Sequence, residues 1–322
     1  MKGKEMIGDT TPTITLGQSG ITTAPLGVGT WAWGEQRFWG YGQEYGRADV
    51  AAAFAASVAA GVTLFDTAEI YGQGESERIL GDLARESGEP LIVATKFAPL
   101  PWRLRARALR RALGASLERL GMGSVDLYQI HFPYSVLSIN SLMDALADAV
   151  AEGKVRAVGV SNYSAEQTHR AHEALARRGV PLATNQIQYS LLSRKPETDG
   201  TLAACRALGV TVIAYSPLAQ GLLTGKYLTG DVAPAGIRSW QPAFRPQRLR
   251  RLASLLDLIR GIGEDHGGKN PAQVALNWLI QQGNVLSIPG AKTAAQATSN
   301  AGALGWALRP AEVDALATAS RR

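Results

Sequence analysis

The 322-residue sequence predicts an α/β fold, a (β/α)8 barrel of the TIM type formed by a single domain over residues 1–322. Eight short apolar runs, rich in β-branched residues, alternate with amphipathic helical stretches, and such alternation is typical of parallel strands joined by helical crossovers. The length suits one such barrel, which needs about 250 residues or more. The predicted strands are residues 25–30, 61–66, 90–96, 124–130, 155–160, 182–186, 210–215 and 285–290.

Other segments frame this repeat. Two short runs around Gln18-Ser19-Gly20 predict an N-terminal β-hairpin before the first barrel strand. A long rim loop, residues 218–246, follows the seventh strand, and loops of this length in a compact domain usually serve function. Helices are predicted between the strands, for example at 48–60, 104–120, 138–153 and 247–262, from Pro271 onward, and at 310–320.

A doubly wound open sheet is the main alternative to the barrel. It is disfavoured because no turn from a strand to a helix carries G-x-G-x-x-G; residues 27–32 and 72–77 both lack the third glycine. Residues 263–270 resemble a P-loop but have Asn270 where Ser or Thr would hold magnesium. They also follow a helix, so consecutive glycines that end a helix explain them better.

The composition excludes broad disorder, since 46% of residues are hydrophobic and 19% are charged. The net charge of +6 can attract phosphorylated ligands without implying nucleic acid. Leucines at helical spacing interrupt the densest basic stretch, which favours a solvated helix face over a nucleic-acid or membrane surface. That stretch contains Arg103, Arg105, Arg107, Arg110 and Arg111.

We expect a cytoplasmic protein. Cys205 is the only cysteine, so no intrachain disulfide can form, which suits a reducing compartment. No segment has eighteen uninterrupted apolar residues, and the first 17 residues lack the apolar stretch of a signal peptide. We therefore expect no membrane or nucleic-acid partner; an oligomer is compatible with the sequence but not indicated by it.

Polar side chains follow successive predicted strands, at the rim where such barrels carry their active sites. Asp66 ends the second run, Tyr71 lies in the loop after it, Lys96 ends the third run and His131 follows the fourth. Each alone has a structural explanation, as a cap, a rim aromatic, a surface lysine or a buried histidine. Together, on consecutive strands, they predict a proton-delivery site.

The chemistry of this set points to carbonyl reduction. A tyrosine has a pKa near 10, and we expect a neighbouring Lys96 ammonium to lower it. Asp66 would keep Lys96 charged, and His131 would hydrogen-bond the carbonyl. Tyr71 would then act as the general acid that protonates a carbonyl oxygen as hydride reaches its carbon.

Several longer motifs resemble those of the aldo-keto reductase superfamily, in family order from about Leu16 to Ala317. Residues 99–103 (PLPWR) and 301–306 (AGALGW) resemble the branch found in cyanobacteria and plant plastids. The matching stretches are residues 65–81, 94–97, 125–133, 158–164, 185–192, 214–226 and 288–304.

The resemblance implies that the barrel binds NADPH/NADP+ in extended form and that Asp66, Tyr71, Lys96 and His131 are its catalytic tetrad. It assigns further residues to the cofactor, each a suitable type: amides for the carboxamide, an aromatic platform, and backbone N–H groups with a lysine for phosphate. These are Thr30 and Trp31; Ser161, Asn162 and Gln186 at the carboxamide; Tyr215 on the nicotinamide ring; Ser216, Pro217, Leu218, Gln220 and Gly221 along the pyrophosphate; and Gly290, Lys292, Gln296 and Asn300 at the 2′-phosphate and adenine.

One position bears on cofactor choice. Some relatives carry Arg where this chain has Gln296, and Arg would grip a 2′-phosphate with two hydrogen bonds. The expected preference for NADPH over NADH therefore rests on Lys292, which could instead be a solvated lysine at a helix start.

The aromatic residues Trp33, Trp102, Phe132 and Trp240 are predicted to line a substrate pocket, although some could cover the barrel mouth structurally. The sequence thus predicts an NADPH-dependent oxidoreductase that reduces aldehydes or ketones to alcohols. Two alternatives stay open. One is a cofactor-binding regulatory subunit with slow turnover, like the potassium-channel β-subunits, and the other is a lyase or isomerase barrel with a phosphate site.

Overall fold

The computed structural model describes residues 12–228 and 240–321. Part of the long rim loop predicted at 218–246 therefore lies outside the described residues, as does the start of the N-terminal segment considered for a signal peptide. The antiparallel pair β1 (Ile14–Thr15) and β2 (Thr22–Thr23) forms the predicted hairpin.

The described residues form one sheet of eight parallel strands, each paired with its neighbour in the chain. The sheet closes on itself where the Gly27 N–H donates to the Ser287 carbonyl at 2.8 Å and the Gly29 N–H to the Pro289 carbonyl at 3.0 Å. The predicted (β/α)8 barrel is confirmed. Its strands are β3 (Val28–Gly29), β4 (Leu64–Asp66), β5 (Ile92–Phe97), β6 (Val125–Ile130), β7 (Val155–Ser161), β8 (Leu182–Gln188), β9 (Thr211–Tyr215) and β10 (Val285–Ile288).

Helices surround the barrel and bury their apolar faces against the outside of the sheet. Several start at a side chain that accepts a backbone N–H, among them Ser138, Ser164 and Asn270. The helices are α1 (Gln36–Trp39), α2 (Arg47–Ala59), α3 (Glu75–Ser87), α4 (Arg107–Leu120), α5 (Ile139–Ala151), α6 (Ala165–Ala176), α7 (Lys195–Thr198), α8 (Thr201–Ala207), α9 (Pro246–Asp265), α10 (Pro271–Ile280), α11 (Ala294–Ala301) and α12 (Pro310–Ala319).

The two ends of the barrel differ in chemistry. The hairpin closes the end where the strands begin, because Leu16 and Ile21 pack on the inward-facing apolar side chains of the barrel, such as Leu64 and Leu127. Gly17 permits this approach; a Cβ there would lie 2.7 Å from the Ala183 carbonyl oxygen. The opposite, carboxyl end is therefore the open one.

Polar side chains fill the barrel interior one layer below that open end. Lys96, Gln129, Gly159 and Thr184 lie opposite one another across β5 to β8. A Cβ at position 159 would lie 2.1 Å from Thr184 Oγ1 and 3.1 Å from Gln129 Cγ. Gly159 therefore leaves the room in which two buried polar side chains support the residues above them.

Among residues 12–228 and 240–321, no helix combines the length and the apolar character that crossing a membrane requires.

Candidate active site

Lys96 lies at the centre of the predicted catalytic group. Its Nζ atom donates hydrogen bonds to Asp66 Oδ1, to the Thr67 carbonyl at 2.8 Å and to the Tyr71 hydroxyl at 3.3 Å. The ring of His131 packs edge-on against that of Tyr71, with centroids 5.6 Å apart. Three neighbouring strands thus bring the four predicted residues together.

The carboxylate of Asp66 is held from both sides. It is 1% exposed, and its Oδ2 atom accepts hydrogen bonds from Gln186 Nε2 at 2.8 Å and Gln129 Nε2 at 3.1 Å. Sequence analysis did not single out Gln129. With the Lys96 ammonium on Oδ1, these amides surround a buried negative charge with donors, which is what a buried charge requires.

The protonation states suit acid catalysis, although the expectation that the Tyr71 pKa is lowered was wrong. Burial raises the pKa of Tyr71 above its usual 10.0, and the charge of Asp66 raises it further. The Lys96 ammonium lowers the pKa but offsets only part of that rise. For Lys96, burial is the largest effect and alone would lower the pKa, but the charges of Asp66 and Tyr71 and the hydrogen bonds to them together outweigh it and the pKa is raised. At neutral pH Tyr71 is therefore a phenol beside a charged ammonium.

His131 is a neutral imidazole. Burial, and then the charge of Lys96, lower its pKa from 6.5 to about 2. Within the described part of the chain its buried Nδ1 atom has no hydrogen-bond partner. A neutral ring can hydrogen-bond a carbonyl oxygen but cannot supply the proton, which leaves that task to Tyr71.

The residues predicted to hold a carboxamide form one connected group. The Ser161 hydroxyl donates to the Gln186 carbonyl at 2.9 Å, and Asn162 Nδ2 donates to Ser161 Oγ at 3.0 Å. The Tyr215 hydroxyl donates to Asn162 Oδ1 at 3.0 Å. Asn162 has a φ of 62°, a strained backbone for a residue with a side chain, as is often found at functional sites.

The loop after β9 carries most of the backbone strain. Ser216, Ala219 and Gln220 all have positive φ, between 47° and 56°. Gln220 Oε1 is buried and, within the described residues, accepts no hydrogen bond. The N–H groups of Ala219 and Gly221 donate to the Ser216 and Leu218 carbonyls at 2.9 Å. Backbone strain of this kind is common at functional sites, and the pyrophosphate assignment of residues 216–221 stays a prediction.

The loop after β10 gathers the residues predicted at the 2′-phosphate. The Lys292 backbone N–H donates to Gln296 Oε1 at 2.8 Å, and Asn300 Nδ2 donates to the Gly290 carbonyl at 3.3 Å. Gln296 and Asn300 lie on α11, which begins at Thr293 as its cap. The side chain of Lys292 turns the other way, toward the loop after β3.

The two cofactor residues predicted after β3, Thr30 and Trp31, differ in their surroundings. Trp31 is 37% exposed, and its ring centroid lies 6.3 Å from that of Tyr71, so it stands beside the catalytic group. Thr30 is fully buried, and its hydroxyl hydrogen-bonds the Asp66 carbonyl and the Ser76 hydroxyl. Its backbone N–H also donates to the Asp66 carbonyl, and its own carbonyl accepts from the Trp33 N–H, so Thr30 serves the barrel rim rather than an open surface.

Trp33 was wrongly predicted as a pocket residue. It is 0% exposed, packs on Phe65 in the core and donates its indole N–H to the Ala291 carbonyl at 2.9 Å. The apolar ring faces the helices because the chain turns inward after Thr30. Trp33 therefore stabilises the barrel wall and does not contact a substrate.

The other aromatic predictions lie at the rim. Phe132 stacks on His131 with centroids 4.2 Å apart. Trp240 is 85% exposed and is the first described residue after the gap in the long loop. Trp102 is 72% exposed in a groove of about 680 Å³ whose lining includes Glu69 but none of the four predicted catalytic residues. Of these three aromatic residues, Phe132 thus lies beside His131, one of the predicted catalytic residues.

Two further features at the rim were not predicted. Glu69 and Arg103 form a two-pronged ion pair, with distances of 2.5 and 2.9 Å, that joins the loops after β4 and β5. Phe38 and Trp39, on the short helix α1, pack against Trp31. Neither feature has a sequence motif. The ion pair joins two loops that meet only in the folded chain, and the aromatic cluster depends on a four-residue helix within one loop.

Among the described residues there is no group of three or more His, Cys, Asp or Glu side chains that could hold a metal ion.

Known proteins share this architecture. A glycerol dehydrogenase structure from Gluconobacter oxydans superposes with a TM-score of 0.83 at 30% identity, covering 97% of this chain and 95% of that one. The structure of a Klebsiella pneumoniae aldo-keto reductase in complex with NADPH has a TM-score of 0.74 at 29% identity, covering 95% and 94% of the two chains.

Similarity also extends along the sequence. The chloroplastic pyridoxal reductase of Arabidopsis thaliana is 42% identical over 301 residues, 89% of this chain and 80% of that protein. An uncharacterized oxidoreductase of Mycobacterium tuberculosis is 40% identical over 299 residues, 92% of this chain and 89% of that protein. The model of the aldo/keto reductase family matches residues 25–321. The chain therefore belongs to the aldo/keto reductase family.

Proposed function

We propose that this protein is an NADPH-dependent reductase that converts aldehydes or ketones to alcohols, with Tyr71 as the general acid. The observation that carries the proposal is the position of Lys96, whose ammonium hydrogen-bonds both Asp66 and the Tyr71 hydroxyl. The buried ion pair keeps a positive charge beside a phenol that stays protonated at neutral pH.

The nicotinamide cofactor would supply the hydride. The site fits it at the carboxamide, because Gln186 gives its Nε2 to Asp66 and keeps Oε1 as an acceptor for the amide N–H of the cofactor. Lys292 would favour the 2′-phosphate of NADPH.

The protein's own residues would act on the proton. The neutral His131 would donate or share a hydrogen bond with the substrate carbonyl and fix its oxygen near Tyr71. The Tyr71 hydroxyl would give its proton to the oxygen as hydride adds to the carbon. The resulting phenolate would be stabilised by the Lys96 ammonium 3.3 Å away, and that charge is what lowers the barrier.

For the substrate we propose aromatic aldehydes, with pyridoxal as the first compound to test. Trp31 and Phe132 stand on either side of Tyr71 and His131, where a flat ring could stack. The relative from Arabidopsis thaliana is a pyridoxal reductase, at 42% identity.

The test compares the wild type with Tyr71→Phe, following the loss of NADPH absorbance with pyridoxal, benzaldehyde and butanal. Removing the general acid should lower kcat by roughly 10²- to 10⁴-fold, while NADPH binding, measured by quenching of protein fluorescence, stays unchanged. Tyr134→Phe is the matched control, since Tyr134 is 83% exposed in the loop after β6. Equal turnover by the Tyr71→Phe variant and the wild type would refute the assignment.

Tight NADPH binding without turnover on any carbonyl would refute the reductase proposal itself. That result would favour a regulatory subunit that binds the cofactor.

A further inference from the structure

The loop after β3, residues 30–46, folds over the rim beside the candidate active site. Its short helix α1 is fixed at its start by Glu35, whose carboxylate accepts the N–H groups of Arg37, Phe38 and Trp39. A four-residue helix has no stability of its own, so its position depends on the contacts of its side chains and on this cap.

These contacts converge on Trp31. The Phe38 ring stacks on Trp31 with centroids 4.9 Å apart, and the Trp39 ring meets Trp31 edge-on at 5.4 Å. Phe38 and Trp39 also pack on each other at 5.0 Å. Because the Trp31 ring lies 6.3 Å from the Tyr71 ring, α1 determines the shape of one wall of the active site.

Lys292, from the loop after β10, holds this same helix. Its Nζ atom donates to the Trp39 carbonyl at 2.8 Å, lies 4.3 Å from the centre of the Tyr45 ring and 5.0 Å from that of Trp39. The Glu44 carboxylate is 3.8 Å away. The side chain is 16% exposed, so the ammonium sits in a largely enclosed place between the two loops.

We infer that Lys292 is a positioning residue for the substrate wall: it holds Trp39 and thereby fixes Trp31 beside Tyr71. This inference rests on the proposed function and adds a second task to the residue assigned there to the 2′-phosphate. Losing Lys292 would then change the fit of the substrate as well as that of the cofactor.

The test compares Lys292→Met, Lys292→Arg and Lys154→Met. Met keeps most of the length of the side chain without the charge, and Arg keeps a donor for the Trp39 carbonyl. Lys154→Met is the matched control: it makes the same change at an exposed lysine directly before β7, at the end of the barrel opposite the candidate active site.

The first readout is amide hydrogen exchange of residues 31–46 in the protein without cofactor. Lys292→Met removes a charge-assisted hydrogen bond to α1, so exchange there should become about tenfold faster. Lys154→Met should leave it unchanged, and Lys292→Arg should restore most of the protection. Equal exchange rates in Lys292→Met and the wild type would overturn the inference, whichever substrates the enzyme accepts.

The second readout is KM at saturating NADPH. Lys292→Met should raise KM severalfold for benzaldehyde, which contacts the wall, and leave KM for butanal nearly unchanged. Lys154→Met should alter neither KM. An equal rise for both aldehydes, or the same rise in Lys154→Met, would also overturn the inference, while the effect of Tyr71→Phe decides the proposed reaction separately.

Discussion

At the scale of single residues, Asp66 connects the two halves of the site. One oxygen of its carboxylate pairs with Lys96, which supports Tyr71, and the other accepts the amide of Gln186, which faces the proposed carboxamide position. The orientation of Gln186 is set by that carboxylate, because only its Nε2 end can donate. The proposed proton delivery and cofactor orientation would therefore both depend on one buried charge.

Gln129 completes this arrangement, and its loss should be measurable. Gln129→Met keeps the volume but removes the N–H that lies 3.1 Å from Asp66 Oδ2 in a site with no exposed surface. We expect the free energy of unfolding to fall by about 1–3 kcal/mol, because a buried carboxylate loses a donor. Urea denaturation of the variant and the wild type would measure the change.

Thr184→Val is the control for that experiment. Thr184 is equally buried and hydrogen-bonds Gln129 at 3.4 Å but does not reach Asp66, so Thr184→Val should lower the free energy of unfolding by less. Equal losses of stability in the two variants would mean that the hydrogen bond to Asp66 adds nothing beyond packing.

The four residues predicted from the strand ends lie together in the structure, whereas Gln129 was not predicted, for a physical reason. Lys96 and Gln129 are paired at the same level of the barrel, each one residue before the end of its strand. A lysine in an apolar run suggests function because a charge is costly to bury, whereas a neutral glutamine gives a weaker signal, and its inward direction depends on the room left by Gly159. For Tyr71, the balance between burial and the Lys96 charge depends on the depth of the site, which the sequence does not give.

At the scale of elements, the strand runs and most helices were predictable from their patterns. The predicted helix at 247–262 corresponds to α9, and Asn270 with Pro271 begins α10 as expected. Helix α1 was not predictable, because a four-residue helix shows no periodicity and depends on the Glu35 cap. The first predicted strand is shorter than expected, with only Val28–Gly29 in regular pairing.

Loops at the rim are joined by ion pairs that periodicity does not reveal, and the pair of Glu69 and Arg103 is the clearest case. Glu69 is two residues from Tyr71, and its side chain is 7% exposed. Its carboxylate also accepts the Ala98 N–H at 2.7 Å. The pair therefore fixes the loop that carries Tyr71 to the loop that follows Lys96.

Arg103→Met should destabilise the protein by about 3 kcal/mol, because it leaves the Glu69 carboxylate buried with one backbone donor. The double variant Glu69→Gln, Arg103→Met should recover part of that loss, since no charge is left behind. Urea denaturation of the single and the double variant measures both changes in stability. As a control, Arg178→Met, which breaks an exposed ion pair, should give no measurable change. No recovery in the double variant would show that the charge of Glu69 is tolerated alone.

At the scale of the whole molecule, the barrel places its buried charges and neutral polar groups at the open end and its apolar plug at the other. The hairpin buries Leu16 and Ile21 among inward-facing aliphatic side chains, whereas Lys96 and Asp66 are almost fully buried near the rim. Burial of ionisable groups makes the stability of the entire fold depend on pH.

His131 provides a direct test of this dependence. Its pKa is about 2 in the folded protein, against 6.5 for an ordinary histidine, so between these values the unfolded chain binds a proton that the folded chain does not. Stability contributed by this group is therefore lost as the pH falls below about 6.5, by about 1.4 kcal/mol per pH unit. His131→Asn removes the titration while keeping a polar side chain of similar size.

The free energies of unfolding of the wild type and His131→Asn should therefore differ in slope between about pH 6 and pH 4. The wild type should lose about 1.4 kcal/mol more per pH unit than the variant, because every other titrating group is common to both and cancels. Urea denaturation at several pH values measures the two curves. Parallel curves would mean that His131 takes up its proton without unfolding, and would argue against a neutral imidazole at the centre of the site.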